Sequence, residues 1–549
     1  MHEAPARHIR RVTAVVVGLV VLLAACSSSK ATSSPADTTP LDGTTAAYQR
    51  PVCDRSPEPT PAATPVAGVP TDVDITTFDG VQIRAHWFPL ATATADQPAP
   101  TVLMGPGWSQ PGDTDVDAVG FLGALNIASL RDAGFNVLTW DPRGWGQSGG
   151  TVESDSPDYE GKDVQQLLDW VAAQSGVQLD GPGDPRVGMV GASYGGGIQI
   201  VTAATDCRVD AIVPIVAWHS LQTSLFKADT VKSGWSNLLF AATAGRSIDP
   251  HISSAHASGA ATGRLSAEDE AWFVDRGPGD LVSRVTVPTL IVQGTVDTLF
   301  TLDEGVTNYG RIEASGVPVS MLWFCGGHGV CLTDPGDETR VGTAAIAWLS
   351  RYVKGDQSVD TGARFEFVDQ TGADHHADGW PVAAGEPITA HGQGTLTLTA
   401  DGGSGPATVA GNGLVSTIAG PITPAEATNA VNVPIAVTDP ALIVGAPELT
   451  MSYSGTAPDG DRPTRVFAQL VDDATGLVLG NQVTPIEVTL DGQIHTATVP
   501  LEMVAHAATA GQHLTLQLVA TTVSYAPPRL GGTVTFDSIE ISLPTTTVS

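Results

Sequence analysis

The chain has 549 residues, of which 42% are hydrophobic, so it is long enough for two or three domains with sizeable cores. Its formal charge of −32 at pH 7 and its isoelectric point near 4.5 argue against nucleic acid as a partner, because phosphate binding needs concentrated lysine and arginine. The acidity therefore indicates a solvated acidic surface.

The N-terminus has the pattern of a secretory signal. A basic stretch with three arginines precedes an apolar run at 12–25, which is short for a membrane span and ends in Leu-Ala-Ala before Cys26. This ending resembles a bacterial lipobox, in which the cysteine is lipidated and becomes the first residue of the mature chain. We therefore expect a signal peptide at 1–25, lipidation of Cys26 and an exported protein anchored to the outer face of the cell membrane. An uncleaved N-terminal anchor is the alternative.

A change of composition marks the start of the folded part. Residues 26–70 are rich in Ser, Thr, Pro and Ala and lack a periodic apolar pattern, which predicts a flexible tether. Two alternating runs at 73–78 and 81–88 then flank Asp79-Gly80, a strong hairpin signal. Order is therefore expected from residue 71 onward.

The cysteines predict two disulfides. Four cysteines remain besides Cys26, and an even number in an exported chain is consistent with disulfides, although four allow three pairings. Cys325 and Cys331 are close in sequence, so we expect these two to pair, which leaves Cys53 with Cys207.

Strand and helix patterns alternate through the next part of the chain. Helix-compatible stretches separate short apolar runs that suit buried strands, and the last run is expected to end the sheet. This alternation predicts an α/β fold with a mostly parallel sheet and helices on both faces. The strand candidates are residues 101–104, 136–140, 186–190, 211–215, 289–292 and 319–324.

The segment 191–197, Gly-Ala-Ser-Tyr-Gly-Gly-Gly, lies between a strand pattern and a helix pattern. Small residues around Ser193 permit the sharp turn that exposes a nucleophilic serine at the top of a sheet. The helix N-terminus then points at the serine, and the N–H of Tyr194 lies beside any oxyanion formed there. The Gly-rich loop after the first parallel strand would supply a second donor from Trp108 or Ser109, the alternative being a tight turn with no catalytic duty.

An acid and a histidine follow the serine. Asp297 stands three residues after a glycine, just past the strand pattern at 289–292, and Asp303 is the reserve candidate. His328 lies between two glycines in the loop after 319–324. Nucleophile, acid and base in this order are expected of an α/β-hydrolase, in which the histidine takes the serine proton and the carboxylate fixes the imidazole.

Two further segments complete the predicted domain organisation. Aromatic, helix-like segments broken by Gly and Pro at about 219–284 predict a cap over the C-terminal ends of the strands. A helix at about 338–353 is expected to close a catalytic domain at 71–355. Short alternating runs beyond it, such as 365–368, predict a β-sandwich at 356–549. No metal-ligand spacing occurs in this tail, and we expect neither a metal nor a cofactor.

The stretch from about 71 to 353 resembles the α/β-hydrolase domain of the Xaa-Pro dipeptidyl-peptidase and cocaine-esterase group, peptidase family S15. The matching motifs are the serine turn, the Asp-Pro-Arg-Gly-Trp-Gly-Gln-Ser-Gly run from Asp141, the Val-Pro-Ile-Val-Ala-Trp segment ending at Trp218, and the placement of the acid and the histidine. The tail, including residues 379–381 (Gly-Trp-Pro), resembles the jelly-roll domain found at the C-terminus of that group.

The resemblance implies a serine hydrolase that forms an acyl-enzyme with a small peptide or ester, with Xaa-Pro dipeptidyl-peptidase activity as the leading expectation. In well-known members a tyrosine hydroxyl completes the oxyanion hole, whereas the corresponding loop here is Gly-Pro-Gly-Trp-Ser-Gln, which leaves backbone N–H groups for that task. The acidic residues Asp229 and Glu268 of the cap are candidates for binding a substrate amine. A carboxylesterase or acyltransferase for cell-envelope acyl esters is the alternative. A catalytically silent protein that binds through its β-domain is an alternative of another class.

Overall fold

The predicted signal peptide, Cys26 and nearly all of the predicted tether lie outside the part of the chain that the structure describes. Within that part, no helix combines the length and the hydropathy needed to cross a membrane. All described residues belong to one compact unit, Gln49–Ser549. The computed structural model describes residues 53, 68–118, 125–409, 414–458 and 464–548.

Ten of the strands before residue 378 form one sheet, in the order β1-β2-β4-β3-β7-β8-β11-β12-β13-β14. Neighbours from β4 to β13 run parallel, and the pairs at both edges are antiparallel. The pairs β5–β6 and β9–β10 are small separate hairpins. The strands are β1 (Thr71–Thr76), β2 (Gln82–Phe88), β3 (Thr101–Gly105), β4 (Asn136–Trp140), β5 (Leu179–Gly181), β6 (Asp184–Pro185), β7 (Val187–Ala192), β8 (Val209–Ile215), β9 (Phe226–Lys227), β10 (Thr230–Val231), β11 (Thr289–Gly294), β12 (Val319–Phe324), β13 (Phe365–Val368) and β14 (Asp374–Ala377).

Helices cover both faces of this sheet, as predicted. Helices α2, α3 and α8 pack on one face and α1 and α9 on the other, while α4 to α7 lie between β8 and β11. The helices are α1 (Ile127–Asp132), α2 (Glu160–Ala172), α3 (Tyr194–Thr205), α4 (Leu221–Leu225), α5 (Ser233–Ala241), α6 (Pro250–Thr262), α7 (Ala267–Val274), α8 (Leu302–Glu313) and α9 (Arg340–Tyr352).

The apolar strand residues alternate between two cores. Met189 and Ile291 join the core under α2, α3 and α8, whereas their neighbours Val190 and Val292 join the core under α1 and α9. Successive side chains of a strand point to opposite faces, so a sheet that is covered on both sides needs apolar residues at every position. This requirement explains the uninterrupted apolar runs from which the strands were predicted.

The sheet extends beyond the predicted domain boundary at 355. Strand β12 was expected to be the last, but β13 pairs parallel to it and β14 pairs antiparallel to β13. The reason is an aromatic cluster: the rings of Phe365 and Trp380 lie 4.8 and 5.0 Å from that of Trp323 in β12. Residues 365–368 and Trp380, which were assigned to the β-sandwich, therefore complete the core of the α/β region. An alternating pattern does not specify which sheet a strand joins.

The predicted cap forms between β8 and β11. Helices α4 to α7 and a 3₁₀ helix at Gly279–Arg284 occupy the interval predicted at 219–284. Their aromatic side chains, including Trp235 and Trp272, share a core with Tyr194 at the start of α3. The cap therefore lies directly over the serine turn.

The remaining strands form an all-β region, as predicted. A four-stranded sheet (β15-β25-β18-β22) and a five-stranded sheet (β16-β24-β19-β20 with β21 on β19) share one apolar core, which includes Met451 and Leu516. The strands β23, β17 and β26 form a third, smaller sheet. The bounds are β15 (Ile388–Thr397), α10 (Leu414–Ala419), β16 (Ala430–Ala436), β17 (Ala441–Gly445), β18 (Glu448–Thr456), β19 (Thr464–Asp472), β20 (Leu477–Val478), β21 (Thr484–Val488), β22 (His495–Pro500), β23 (Val504–Ala508), β24 (His513–Val519), β25 (Thr533–Leu543) and β26 (Thr545–Thr546), with 3₁₀ turns at Gly420–Ile422 and Leu479–Asn481.

Candidate active site

Ser193 is the single residue between the end of β7 and the start of α3. Its backbone has φ 57° and ψ −115°, in a region that residues with a side chain rarely adopt. This is the strained strand-to-helix turn that lifts a nucleophilic serine out of a sheet. Tyr194 is the first residue of α3, so its N–H is among the amides that a helix leaves free at its N-terminus.

The glycines around Ser193 permit a close approach of α3 to β3. An ideal Cβ at Gly191 would lie 2.6 Å from the carbonyl oxygen of Gly105, and one at Gly195 would lie 2.6 Å from the carbonyl carbon of the same residue. Real Cβ atoms do not approach backbone atoms this closely. The glycine-rich start of α3 is therefore a packing requirement, despite the poor helix propensity of glycine.

Asp297 and His328 meet Ser193 at the C-terminal edge of the sheet. His328 Nε2 lies 2.9 Å from Ser193 Oγ, and His328 Nδ1 lies 2.7 Å from Asp297 Oδ2. The other carboxylate oxygen of Asp297 accepts the backbone N–H groups of Leu299 and Phe300 at 2.9 and 2.8 Å. The Asp297 side chain is fully buried, so these donors hold it in one orientation.

The glycines beside His328 let its loop lie directly on the loop of the acid. Gly327 has φ 102°, and an ideal Cβ there would lie 2.6 Å from Asp297 Oδ2. A Cβ at Gly329 would lie 2.8 Å from the carbonyl carbon of Val296. Bulkier residues would push the imidazole away from the carboxylate, which gives the predicted glycine pattern a steric cause.

Both predicted disulfides are present. Cys325 and Cys331 are bonded and close the loop that carries His328. Cys53 is bonded to Cys207, which follows the C-terminal end of α3. The first disulfide thus lies at the candidate site, and the second lies at the end of α3 opposite to Ser193.

The predicted second oxyanion donor lies in the loop after β3. The indole N–H of Trp108 donates to the carbonyl oxygen of Leu239 at 3.0 Å, and its ring packs edge-on against that of Tyr194. Ser109 has φ 65°. Trp108 lines the cavity at Ser193, so this loop borders the site. Which of its N–H groups faces an oxyanion stays a prediction.

The reserve acid, Asp303, lies in a different cluster. Its carboxylate is 3.4 Å from Lys227 Nζ, and Lys227 also pairs with Glu502 of the all-β region at 2.5 Å. Burial and the neighbouring Glu502 raise the pKa of Asp303 to about 7. The structure therefore brings Asp297, and not Asp303, to the histidine.

An apolar cavity opens beside Ser193. Among the described residues, no Asp, Glu, Lys or Arg lines it. Aromatic and aliphatic side chains from the strand ends and the cap dominate the lining, including Trp218, Leu225, Leu239, Phe240, Phe273 and Phe300. The cavity therefore suits a neutral apolar group.

Buried carboxyl groups lie behind Tyr194. The hydroxyl of Tyr194 donates to Glu160 at 3.1 Å and accepts the backbone N–H of Asp155 at 3.2 Å. Burial raises the pKa of Glu160 to about 8 and raises the pKa of Asp155 well above its usual value. Both groups border a second, smaller cavity rather than the apolar one.

Residues that the sequence did not indicate hold the loop that carries Asp297, residues 295–301 between β11 and α8, which is called the acid loop below. From the all-β region, the side-chain amide of Gln482 donates to the carbonyl oxygen of Asp297 at 2.9 Å. From the cap, Lys232 Nζ donates to the carbonyl oxygen of Leu299 at 2.9 Å. The ring of Trp235, also in the cap, lies edge-on to that of His328 at 5.7 Å. No local pattern marks these residues, because their partners are distant in sequence.

Comparisons with known proteins show what the chain is similar to. The family model described as X-Pro dipeptidyl-peptidase (S15 family) matches residues 79–330. A CocE/NonD family hydrolase from Staphylococcus aureus has a similar structure, with a TM-score of 0.63 and 12% identity over 87% of this chain and 93% of that one. An aminopeptidase from a Thaumarchaeota archaeon has a TM-score of 0.62 and 13% identity over 90% of this chain and all of that one. At such identities the likeness concerns the fold.

A curated relative matches a smaller part of the chain. A polyketide transferase from a Penicillium species is 27% identical over 147 residues, which cover 26% of this chain and 44% of that protein. The chain therefore matches less than half of the length of this relative. The matched residues 79–330 include the serine turn and most of the α/β sheet. The model of the S15 peptidase family thus matches most of the α/β region, and the chain has the fold of the CocE/NonD family hydrolase.

Proposed function

We propose that the protein hydrolyses esters of neutral, apolar acyl groups through an acyl-enzyme on Ser193. The observation that carries the proposal is the mostly apolar cavity beside the serine, whose described lining contains no Asp, Glu, Lys or Arg. Xaa-Pro dipeptidyl-peptidase activity, which the family model favours, is the competing function.

The contacts at the site support acylation by a serine. Ser193 Oγ attacks the acyl carbonyl carbon while His328 Nε2, 2.9 Å away, accepts the hydroxyl proton. The oxyanion that forms lies next to the N-terminus of α3, where the N–H of Tyr194 and the positive end of the helix favour negative charge. The intermediate then breaks the bond to the alcohol, which leaves with the proton from His328.

Deacylation repeats these steps with water. His328 takes a proton from a water molecule as its oxygen attacks the acyl carbon, and the proton returns to Ser193 Oγ when the acid leaves. Throughout, Asp297 accepts a hydrogen bond from Nδ1 of His328 and stabilises the imidazolium. The backbone N–H groups of Leu299, Phe300 and His328 donate to the carboxylate and hold it in one orientation.

A substrate with a free amine fits this cavity poorly. Cleavage of a dipeptide from an N-terminus places an ammonium group within one residue of the scissile bond. A buried ammonium without a counter-charge pays a desolvation penalty of several kcal/mol. The described lining contains no ionised carboxylate to offset that penalty.

None of the acidic residues Asp229, Glu268 and Asp155 lines the cavity. Asp229 pairs with Arg264 at 2.6 Å and with Arg465 of the all-β region at 3.0 Å. Glu268 is exposed in the first turn of α7. Burial raises the pKa of Asp155 and so opposes its ionisation. None of these three supports recognition of an ammonium group.

Acyl transfer to an alcohol is chemically close to hydrolysis. The likeness to a polyketide transferase supports the idea that such an acyl-enzyme can pass its acyl group to an acceptor other than water. Apolar acyl esters of the cell envelope remain the proposed substrates if the protein is exported and anchored at its N-terminus. Adding a short alcohol to an ester assay and measuring the transfer product tests this branch.

The test compares initial rates of the purified protein on p-nitrophenyl butyrate and on Gly-Pro-p-nitroanilide. We expect the ester to be cleaved and Ser193→Ala to lower kcat/KM by about 10³-fold or more, because the nucleophile is lost. The melting temperature of Ser193→Ala is expected to stay within a few degrees of the parent. Ser283→Ala, which changes an exposed serine outside the cavity, is the matched control.

Two results would contradict the proposal. Cleavage of Gly-Pro-p-nitroanilide that exceeds ester cleavage, and that acetylation of the peptide amine blocks, would establish a dipeptidyl-peptidase. Absence of both activities, together with no labelling of Ser193 by a fluorophosphonate probe, would favour the catalytically silent binding protein.

A further inference from the structure

A short segment of the all-β region, residues 480–482, contacts both loops of the candidate site. The side-chain amide of Gln482 donates to the carbonyl oxygen of Asp297 at 2.9 Å. The side-chain amide of the preceding residue, Asn481, donates to the carbonyl oxygen of Val330 at 2.8 Å. Asp297 is the proposed acid, and Val330 lies two residues after His328. One turn of the all-β region thus donates hydrogen bonds to both the acid loop and the histidine loop, the latter being residues 325–331 around His328.

The backbone of this turn is shaped for close contact. Gly480 and Asn481 both have positive φ values, 60° and 57°. An ideal Cβ at Gly480 would lie 2.9 Å from the carbonyl oxygen of Thr295. Glycine and asparagine are the residues that adopt this conformation most readily. The turn therefore reaches the acid loop with its backbone as well as its side chains.

The two loops depend on such outside donors. Both are irregular and buried, so their carbonyl groups lack the partners that a helix or sheet supplies. The amides of Gln482 and Asn481 are themselves 6% and 4% exposed, which makes each hydrogen bond costly to leave unmade. The cap also contacts the acid loop, because the indole N–H of Trp235 donates to Thr298 Oγ1 at 3.0 Å.

We propose that Gln482 and Asn481 are positioning residues for the acid and the histidine. The inference rests on the proposed function. A serine hydrolase needs its acid, base and nucleophile aligned within a fraction of an ångström, and a misplacement of about 1 Å can lower the rate by about 100-fold. The all-β region then serves catalysis by holding two loops of another region, without contact with the substrate.

The experiment replaces each amide by a side chain that cannot donate. Gln482→Met keeps the volume and removes the N–H group, and Asn481→Gly keeps the left-handed backbone and removes the side chain. Gln469→Met is the matched control, because Gln469 is a buried amide of the same region that bonds to Ala425 and Gln517. It controls for a general loss of stability.

Activity is measured with p-nitrophenyl butyrate per active site, titrated with a fluorophosphonate, and the second-order labelling rate of Ser193 is recorded. We expect Gln482→Met to lower kcat by about 10- to 100-fold with KM within about twofold, and to slow labelling by a similar factor. Asn481→Gly should lower kcat by a smaller factor. Gln469→Met should lower the melting temperature and keep the parent kcat per titrated site.

The inference is overturned if Gln482→Met and Asn481→Gly both keep the parent kcat per titrated site. It is also overturned if all three variants lose kcat in proportion to their loss of melting temperature. If Gln482→Met does not fold, Asn481→Gly decides alone. A parent protein that neither cleaves the ester nor labels at Ser193 would refute the proposed function instead, so the two failures are distinguishable.

Discussion

The serine turn and the two loops that face it are held in different ways. Ser193 lies in a continuous motif, and backbone contacts between neighbouring elements of one sheet define its position. Asp297 and His328 lie in irregular loops that side chains of the cap and the all-β region hold from outside. Close backbone packing therefore places Ser193, whereas Asp297 and His328 depend on hydrogen bonds from distant parts of the chain in addition to the close glycine contacts between their loops.

This difference predicts different responses to substitution. Where two backbone segments are in direct contact there is no space for an added methyl group. A single glycine-to-alanine substitution there should therefore lower the free energy of unfolding. Hydrogen bonds from several regions share the task of holding a loop, so the loss of one should reduce activity without unfolding the protein. The following predictions test this contrast, starting with the largest expected effect.

Gly195→Ala should abolish the folded state or destabilise it by more than about 3 kcal/mol, because overpacking against a backbone allows little relaxation. The added Cβ would lie 2.6 Å from the carbonyl carbon of Gly105. Chemical denaturation followed by circular dichroism measures the change.

Gly310→Ala is the matched control for this prediction. Gly310 lies exposed in α8, and a Cβ there would have nothing within 4 Å. Alanine should stabilise that helix by up to about 1 kcal/mol. A Gly195→Ala protein as stable as the parent would show that α3 is not held by close backbone packing.

The two disulfides should separate stability from activity. Replacing Cys53 and Cys207 by serine opens a loop with a sequence separation of 154 and should cost about 5 kcal/mol of chain-entropy stabilisation. Replacing Cys325 and Cys331 opens a loop with a separation of only 6 and should cost about 2 kcal/mol. The second pair closes the histidine loop, so its loss should also lower kcat several-fold.

Melting temperatures and ester-hydrolysis rates of the two double variants test whether one disulfide mainly supports stability and the other also supports activity. The Cys53/Cys207 variant should keep the parent kcat under conditions where it is folded, because that disulfide lies about 18 Å along α3 from Ser193. Equal losses of kcat in both variants would contradict the special position of the histidine loop.

The last prediction is a pH dependence of stability at Lys232, which donates to the carbonyl oxygen of Leu299 in the acid loop. Burial lowers the pKa of Lys232 from 10.5 to about 8. Between these values the unfolded chain binds a proton that the folded chain does not, so the stability of the parent rises with pH across this window.

Lys232→Met removes this titration. The melting temperature of the parent minus that of the variant should therefore increase between pH 8 and pH 10.5. Differential scanning fluorimetry at the two ends of this range measures it. A difference that stays constant would show that the ammonium group is hydrated in the folded protein, and that the cap holds the acid loop less tightly than the all-β region does.

Local patterns in the sequence were sufficient for much of the fold and for the residues of the candidate site. Apolar runs and turn residues predicted the strands β1 to β4, β7, β8, β11 and β12, the helices on both faces and the cap. The glycines around Ser193 and His328 indicated the two close approaches that the structure contains. The three residues singled out for catalysis lie together, and their roles are the proposal that the assays address.

The sequence by itself determined which residues are buried and where the backbone must turn, because periodicity and glycine placement report directly on local conformation. Only the tertiary structure decided that β13 completes the first sheet, that Asp303 pairs with Lys227, and that Gln482 bonds to Asp297. The same is true of the mostly apolar lining of the cavity. These outcomes depend on which distant segments pack together, and a local pattern contains no information about the identity of a distant partner.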